Sequence, residues 1–361
     1  MKRQRIIRFG TGALVSAGLF WPGHHPAWAG GSPGSGASRA GVRMESGSAP
    51  SVANQSPTPA AAGDVSSAVG FWSSAALIFD GDAKITARLS AAHGLGRDLS
   101  PEQVSELYAF LEALPGRREK NRAGLNLLKN DLISLLQDQT HPPAGLTGTL
   151  IAIYRNPAQD PVARDYALQH LVTWYEQGAA DAPDAQSRIQ SVLRQATREN
   201  TSIAGTALLG LHRLITSDSG TLPLAAGNAV PGANIQWDGG PSRFSADATV
   251  MNEEISQTAL QMLGSANQPS ASQITAIQVC AEREIAEALP AIQALAQTGG
   301  GTALRISAIA ALGYLGGTEQ AVLLQRLEAE PNPALRPAIE GALRRLQTKL
   351  LKNPALTQNS L

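Results

Sequence analysis

Gly301-Thr302-Ala303-Leu304-Arg305-Ile306-Ser307-Ala308-Ile309-Ala310-Ala311-Leu312 is the stretch whose reading decides the fold. Arg305 is followed at +3, +4 and +7 by Ala308, Ile309 and Leu312, positions that share one face of a helix. A second phrase starts 31 residues later, where Arg336 precedes Ile339, Glu340 and Leu343. Each unit is too short to bury its own apolar face. Repetition at this period therefore predicts a helical solenoid, in which neighbouring units cover one another.

Working back along the chain, the same phrase recurs. Arg164 precedes Ala167, Leu168 and Leu171; Ala204 precedes Ala207, Leu208 and Leu211; Gln273 precedes Ala276, Ile277 and Cys280. The anchors at 164, 204, 273, 305 and 336 are spaced by 40, 69, 32 and 31 residues. The long interval contains 217–248, dense in Gly, Pro, Ser and Asn and carrying Trp237-Asp238-Gly239-Gly240. It reads as an irregular loop inserted between repeats, with Trp237 favouring a loop folded back on the solenoid.

Between the anchors, helix signals are local and physical. Ser100 is placed to cap a helix that opens at Pro101, with Glu102 and Gln103 in its first turn and Val104, Leu107, Tyr108 and Leu111 as its apolar stripe. Further helices are expected over 84–92, 119–137, 146–154, 161–175, 186–198 and 202–215. Asp160-Pro161 opens the 161–175 helix as cap and first residue, while Pro142-Pro143 closes the 119–137 helix. The segment 68–120 reads either as part of the solenoid or as its cap.

The beginning of the chain has a different character. Met1–Gly10 holds Lys2, Arg3, Arg5 and Arg8 and no acid, Thr11–Trp21 is uncharged and mostly apolar, and Ala27-Trp28-Ala29 supplies small residues at a cleavage site. That order predicts a secretory signal peptide over residues 1–29, cut after Ala29. The run is too short for a membrane span, which needs ~20 apolar residues. Residues 30–67, rich in Gly, Ser, Ala and Pro, are expected to be a disordered linker. The expected organisation continues with N-terminal helical repeats over 68–216, the inserted loop over 217–248, C-terminal repeats over 249–350 and a flexible tail over 351–361. The destination is periplasmic or secreted.

Composition narrows the function. The chain carries 29 basic and 29 acidic residues, and loss of the four basic residues of the leader leaves 25 against 29. A mildly acidic protein has no electrostatic reason to seek nucleic acid or anionic lipid, so neither nucleic-acid binding nor membrane insertion after cleavage is expected. Cys280 is the only cysteine, which excludes an intramolecular disulfide and a Cys-based zinc site. Its place at +7 of a helical phrase predicts a buried small apolar residue rather than a nucleophile.

Once the phrases are aligned, a family resemblance emerges. Asp160-Pro161-Val162-Ala163-Arg164-Asp165-Tyr166-Ala167 and Gly301–Ile309 look like the second-helix motif of HEAT repeats. Gly313-Tyr314-Leu315-Gly316, followed by Glu319-Gln320-Ala321, is similar to a short HEAT-like variant. The likeness covers 161–171 and 302–346, is weaker at 202–215 and 273–280 where the arginine is missing, and is absent before about residue 120. It implies an all-α, right-handed α-solenoid of HEAT-like (armadillo-type) helix pairs, whose second helices line a concave surface. It also implies that Arg164, Arg305 and Arg336 link adjacent repeats through a carboxylate or a carbonyl.

No reaction is legible. His93, His141, His170 and His212 are scattered without His-x-x-x-His spacing, and His170 falls beside core positions, which favours a structural histidine over a ligand. Glu282, Arg283, Glu284 and Glu287 read as a solvated helix face, and Gly299-Gly300-Gly301 as an inter-helix turn rather than a phosphate loop. Ser202 and Ser307 read as caps and packing, and Arg344, Arg345, Lys349 and Lys352 as a basic end suited to a helix C-terminus. No catalytic, cofactor-binding or metal-ligating residue is assigned, and no cofactor is expected. The leading expectation is an exported scaffold or adaptor that binds a protein partner and has no catalytic activity of its own. The alternatives are an enzyme or enzyme subunit with a site at the 217–248 loop, and a self-assembling structural protein of the envelope.

Overall fold

Side-chain caps and turn glycines cut the chain into short helices, and the helices then stack. The computed structural model describes residues 65–116, 120–178, 183–218 and 245–352. The expected leader, most of the linker, the middle of the inserted segment with Trp237, and nearly all of the tail lie outside them. Two compact units divide at Gly70. Of Met1–Gly70, residues 65–70 are described, as the opening turns of α1. The second unit, Phe71–Leu361, holds the stack.

The helices are α1 (Val65–Phe79), α2 (Ile85–His93), α3 (Pro101–Glu112), α4 (Arg122–Gln137), α5 (Leu146–Arg155), α6 (Pro161–Glu176), α7 (Pro183–Ala196), α8 (Ile203–Asp218), α9 (Ser245–Gly264), α10 (Ser270–Glu282), α11 (Leu289–Thr298), α12 (Thr302–Leu315), α13 (Thr318–Glu328) and α14 (Arg336–Lys352). A 3-10 turn at Ala286–Ala288 leads into α11, and no strand occurs among the described residues.

Helix starts follow from local chemistry. The Ser100 hydroxyl accepts the Gln103 N–H at 3.4 Å while Gln103 Oε1 accepts the Ser100 N–H at 2.9 Å, a reciprocal capping box with Pro101 as first helical residue. Asp160 Oδ1 accepts the Val162 N–H at 2.9 Å ahead of Pro161, and Asn121 Oδ1 accepts the Gly124 N–H at 2.9 Å. Gly145 enters α5 at φ 88°, a left-handed conformation that favours glycine.

Packing makes these helices an all-α solenoid. Consecutive helices pair as α3/α4, α5/α6, α7/α8, α9/α10, α11/α12 and α13/α14. The second members form one uninterrupted layer, α2–α4–α6–α8–α10–α12–α14, each helix packed on the next. First members meet one another at α3–α5, α5–α7 and α9–α11. The anchors at 164, 204, 273 and 305 all lie in this layer, on α6, α8, α10 and α12, and the layer reaches back through α4 to α2. Of the helices in 68–120, α2 packs on α4, and α3 on α4 and α5.

Small residues let the layer close up. A Cβ at Gly313 would stand 2.7 Å from Ala342 Cα, and one at Gly205 would stand 2.9 Å from Ser272 Cα. These contacts join α12 to α14 and α8 to α10. The second spans the 69-residue interval, so the insertion interrupts the sequence without separating the helices on either side. Both ends of the expected 217–248 loop are helical: α8 extends to Asp218, and α9 begins at Ser245 and buries Met251, Ile255, Ala259 and Met262 along its stripe.

Candidate functional site

The repeating chemistry sits where the second helix of a pair passes the end of the first. Arg164 is the fourth residue of α6 and Arg305 the fourth of α12. Arg164 Nε donates to Tyr154 O in the last turn of α5 at 2.7 Å, and its Nη2 donates to Glu199 Oε1 beyond α7 at 2.8 Å. Arg305 repeats this, with Nε to Ala296 O in α11 at 2.9 Å and Nη2 to Glu330 Oε2 beyond α13 at 2.6 Å. The last carbonyls of a helix have no partner within it. One guanidinium fork therefore satisfies an orphan carbonyl inside its own pair and reaches a carboxylate in the next pair. The two arginines do what the resemblance implied.

Sequence reasoning missed two members of the series. Arg88, fourth in α2 and buried, donates from Nε to Ile78 O at 2.8 Å. It precedes Ala91, Ala92 and Leu95 at the same +3, +4 and +7 spacing, so the signal was present. Lys129 in α4 precedes buried Leu132, Ile133 and Leu136 and donates to Leu111 O at 2.8 Å, Ala113 O at 2.7 Å and Gln159 Oε1 at 3.3 Å. Burial pushes its pKa down to about 8, opposed by the charge of Asp160. With three oxygens accepting from it, the amine is the cap of the α3 C-terminus rather than an open nucleophile. Gln273, fourth in α10, makes a neutral version with Nε2 to Ser265 O at 3.3 Å. At the Ala204 copy the tie runs the other way, from Ser272 Oγ to Thr201 O at 2.9 Å.

Arg336 is a correction. It is the first residue of α14 rather than the fourth and is exposed, so its side chain lies too near the helix start for the carbonyls of the preceding helix. The buried stripe of this last pair is Leu335, Ile339, Ala342 and Leu346, rotated from the expected Ile339, Glu340 and Leu343. Lys349 performs the capping instead, donating from Nζ to Tyr314 O at 2.7 Å, while Arg345 lies 4.5 Å over the Tyr314 ring.

The histidines are distributed through the stack rather than gathered. His170 joins α6 to α4, with Nδ1 2.8 Å from Gln137 Oε1 and Nε2 3.0 Å from Asn130 Oδ1, and burial holds its pKa down at about 4. His93 Nε2 lies 2.9 Å from Asp131 Oδ2. His212 Nε2 lies 3.0 Å from Glu282 Oε2 across α8 and α10. The charged cluster at the end of α10 is therefore not wholly a solvated face. Burial raises the Glu282 carboxyl, but hydrogen bonds from His212 and Gln278 and the His212 charge outweigh it and leave the pKa lowered. Arg283 Nη2 donates to Asn252 Oδ1 at 2.8 Å. Cys280 is fully buried and its thiol is pushed up to about 12 by burial, an inert core residue.

A cavity of about 580 Å³ opens between the α1–α2 turn and the end of α3, lined by Phe79, Asp80, Asp82, Arg88, Phe110 and Lys129 among others. Its two cations are already engaged on main-chain carbonyls. No group of three or more His, Cys, Asp or Glu able to hold a metal ion occurs among the described residues. Among them, too, no helix is long and apolar enough to cross a membrane.

Compared with known families the chain matches none, and no curated protein matches it. Among solved structures it is similar to human deoxyhypusine hydroxylase in complex with glycerol, at 17% identity and a TM-score of 0.32, over 79% of this chain and 100% of that one. The expectation of a chain with no catalytic activity is corrected on this finding, because the protein it is similar to is an enzyme by name. A likeness of that size assigns no reaction, substrate or residue here.

Proposed function

We propose that this chain is an exported HEAT-like repeat protein that serves as an interaction scaffold, presenting its inner helix layer to a protein partner. The observation that carries the reading is the repeated fork of Arg164 and Arg305, each tying its own pair to the next along a layer that runs from α2 to α14. A stack joined this way offers one extended surface, the feature solenoids use for binding. The mildly acidic balance after leader removal favours a protein partner over nucleic acid.

The test is affinity capture from an envelope extract with a bait of residues 30–361, beside a second bait in which 217–248 is replaced by a short Gly-Ser link. A partner held by both baits places recognition on the helix layer, as proposed. A partner lost with the segment moves recognition to the insertion, and retention no better than an unrelated solenoid removes the scaffold reading. Export is tested separately, by mass spectrometry of the N-terminus: a chain beginning at Gly30 supports it, and one retaining residues 1–29 contradicts it.

A further inference from the structure

The second helices share a register beyond their core stripe. The positions at +3, +4 and +7 from Arg88, Lys129, Arg164, Ala204, Gln273 and Arg305 form that stripe. At ~100° per residue, +2, +5 and +9 fall on the opposite side, the far face of the inner layer. The +2 series is Ser90, Asp131, Tyr166, Thr206, Thr275 and Ser307. Each carries a hydroxyl or a carboxylate, none is basic and none is buried. Hydrogen bonding gives this face a polarity. Thr275 Oγ1 donates to Ala271 O at 3.3 Å and Ser307 Oγ to Ala303 O at 3.0 Å. At +5, Ser134 Oγ donates to Asn130 O at 3.2 Å, while Gln169 and Gln278 spend Nε2 on Asp165 and Glu282 at 2.8 and 2.9 Å. Their protons are turned back into the helices, so these groups still offer lone pairs. Charge has the same sense. From α4 to α10, the +2, +5 and +9 positions carry Asp131, Asp138 and Glu282 against Arg213, which Glu176 already holds. His93 lies 2.9 Å from Asp131 and Arg97 3.9 Å from Asp138, exposed partners that offset these carboxylates only in part.

We propose that the far face from α4 to α10 binds an extended basic segment of the protein partner, whose lysines or arginines meet this acceptor series. The inference rests on the scaffold reading above and names the chemistry of its partner. Charge complementarity selects the occupant. An acidic segment would meet carboxylates, and an apolar one would leave hydroxyls and amides without water. Spacing fits as well. Helices packed side by side stand ~8–10 Å apart, and a polyproline-II chain advances ~3.1 Å per residue. A cation at every third residue therefore keeps step with the helices. At the α12 end Arg345 stands over Tyr314, the +9 residue, which sets the limit of the acidic stretch.

The experiment is fluorescence anisotropy of residues 30–361 with a ~12-residue peptide of repeating Lys-Ser-Pro, beside Glu-Ser-Pro and Gln-Ser-Pro peptides of the same length. The Lys peptide should bind tightest of the three and weaken as salt rises. Asp131→Asn/Glu282→Gln should weaken it roughly tenfold, as loss of two partly screened ion pairs would. Glu106→Gln/Glu253→Gln, which removes the same charge from the first members, should leave it within about twofold. Carbodiimide coupling to the wild-type chain covers the case in which the first variant misfolds: the peptide's amines should join Asp131, Asp138 or Glu282. Equal binding of the Glu peptide, equal losses from the two variants, or coupling confined to carboxylates of the first members overturns the proposal. So does Lys-peptide binding gained only when residues 30–64 or 219–244 are removed, which names part of this chain as the occupant. If the Lys peptide does not bind while both capture baits still hold a partner, this inference falls and the scaffold reading stands. If the peptide does not bind and no partner is captured, both fall.

Discussion

Replacing Arg305 by alanine removes both arms of the inter-repeat fork at once. The side chain is 15% exposed and Glu330 is 37% exposed, so the ion pair is partly screened and contributes ~0.5–1 kcal/mol. The bond to Ala296 O comes from a charged donor to a helix-end carbonyl that has no other partner, and is worth ~1.5 kcal/mol. Arg305→Ala should therefore cost ~2 kcal/mol. Glu330→Ala should cost ~0.5–1 kcal/mol, and the double variant little more than Arg305→Ala alone, because the pair is counted once. Arg305→Lys should recover at most one arm, since a point charge cannot span both acceptors. Urea unfolding gives the stabilities. Hydrogen exchange over α11–α14 shows whether the loss is local, as a stack of nearest-neighbour contacts requires. A cost for Arg305→Ala under ~0.5 kcal/mol, or full additivity with Glu330→Ala, would refute the linking role.

Two other perturbations follow from the same packing. Gly313→Ala should destabilise by ~1–2 kcal/mol, because its Cβ meets Ala342 Cα at 2.7 Å and overpacking outweighs the gain in helix propensity. Gly341→Ala, with nothing within 4 Å, should stabilise by ~0.5–1 kcal/mol, so thermal melting of the two should move in opposite directions. For His170 the folded pKa of about 4 lies below the unfolded value, so the unfolded chain binds the extra proton between the two. Stability should be complete above about pH 6.5 and fall on the order of 1–3 kcal/mol as the pH drops toward 4. His170→Gln should flatten that slope in urea titrations, and an unchanged slope would assign it elsewhere.

The fold was legible where periodicity and capping agreed. Arg164 and Arg305 stand with apolar residues at +3, +4 and +7 behind a proline or glycine start, and both proved to be the fourth residue of a stacking helix. Arg88 obeys the same spacing but introduces Ala91 and Ala92, whose weak hydrophobicity hides the stripe in a nine-residue helix. Lys129 hid because a lysine fills the arginine's role from the eighth position of α4, where a longer reach to the α3 carbonyls suits it. Arg336 misled because its +3 and +7 positions are apolar, although it opens α14 rather than standing fourth in it and the helix buries a differently rotated stripe. The linking partners were not legible at all. Glu199 and Glu330 lie 35 and 25 residues beyond their arginines, and only the stacking distance between pairs brings them together.

The most direct test of the unbroken inner layer is at its longest step in sequence, from α8 to α10. His212 and Glu282 are hydrogen-bonded at 3.0 Å although 70 residues apart. His212→Cys/Glu282→Cys, with buried Cys280 left in place, should cross-link within one chain under a short bis-maleimide. The joined peptides should then be found by mass spectrometry. Single modification at both sites without a cross-link would mean that the two halves do not share a layer, and the scaffold account would fall with it.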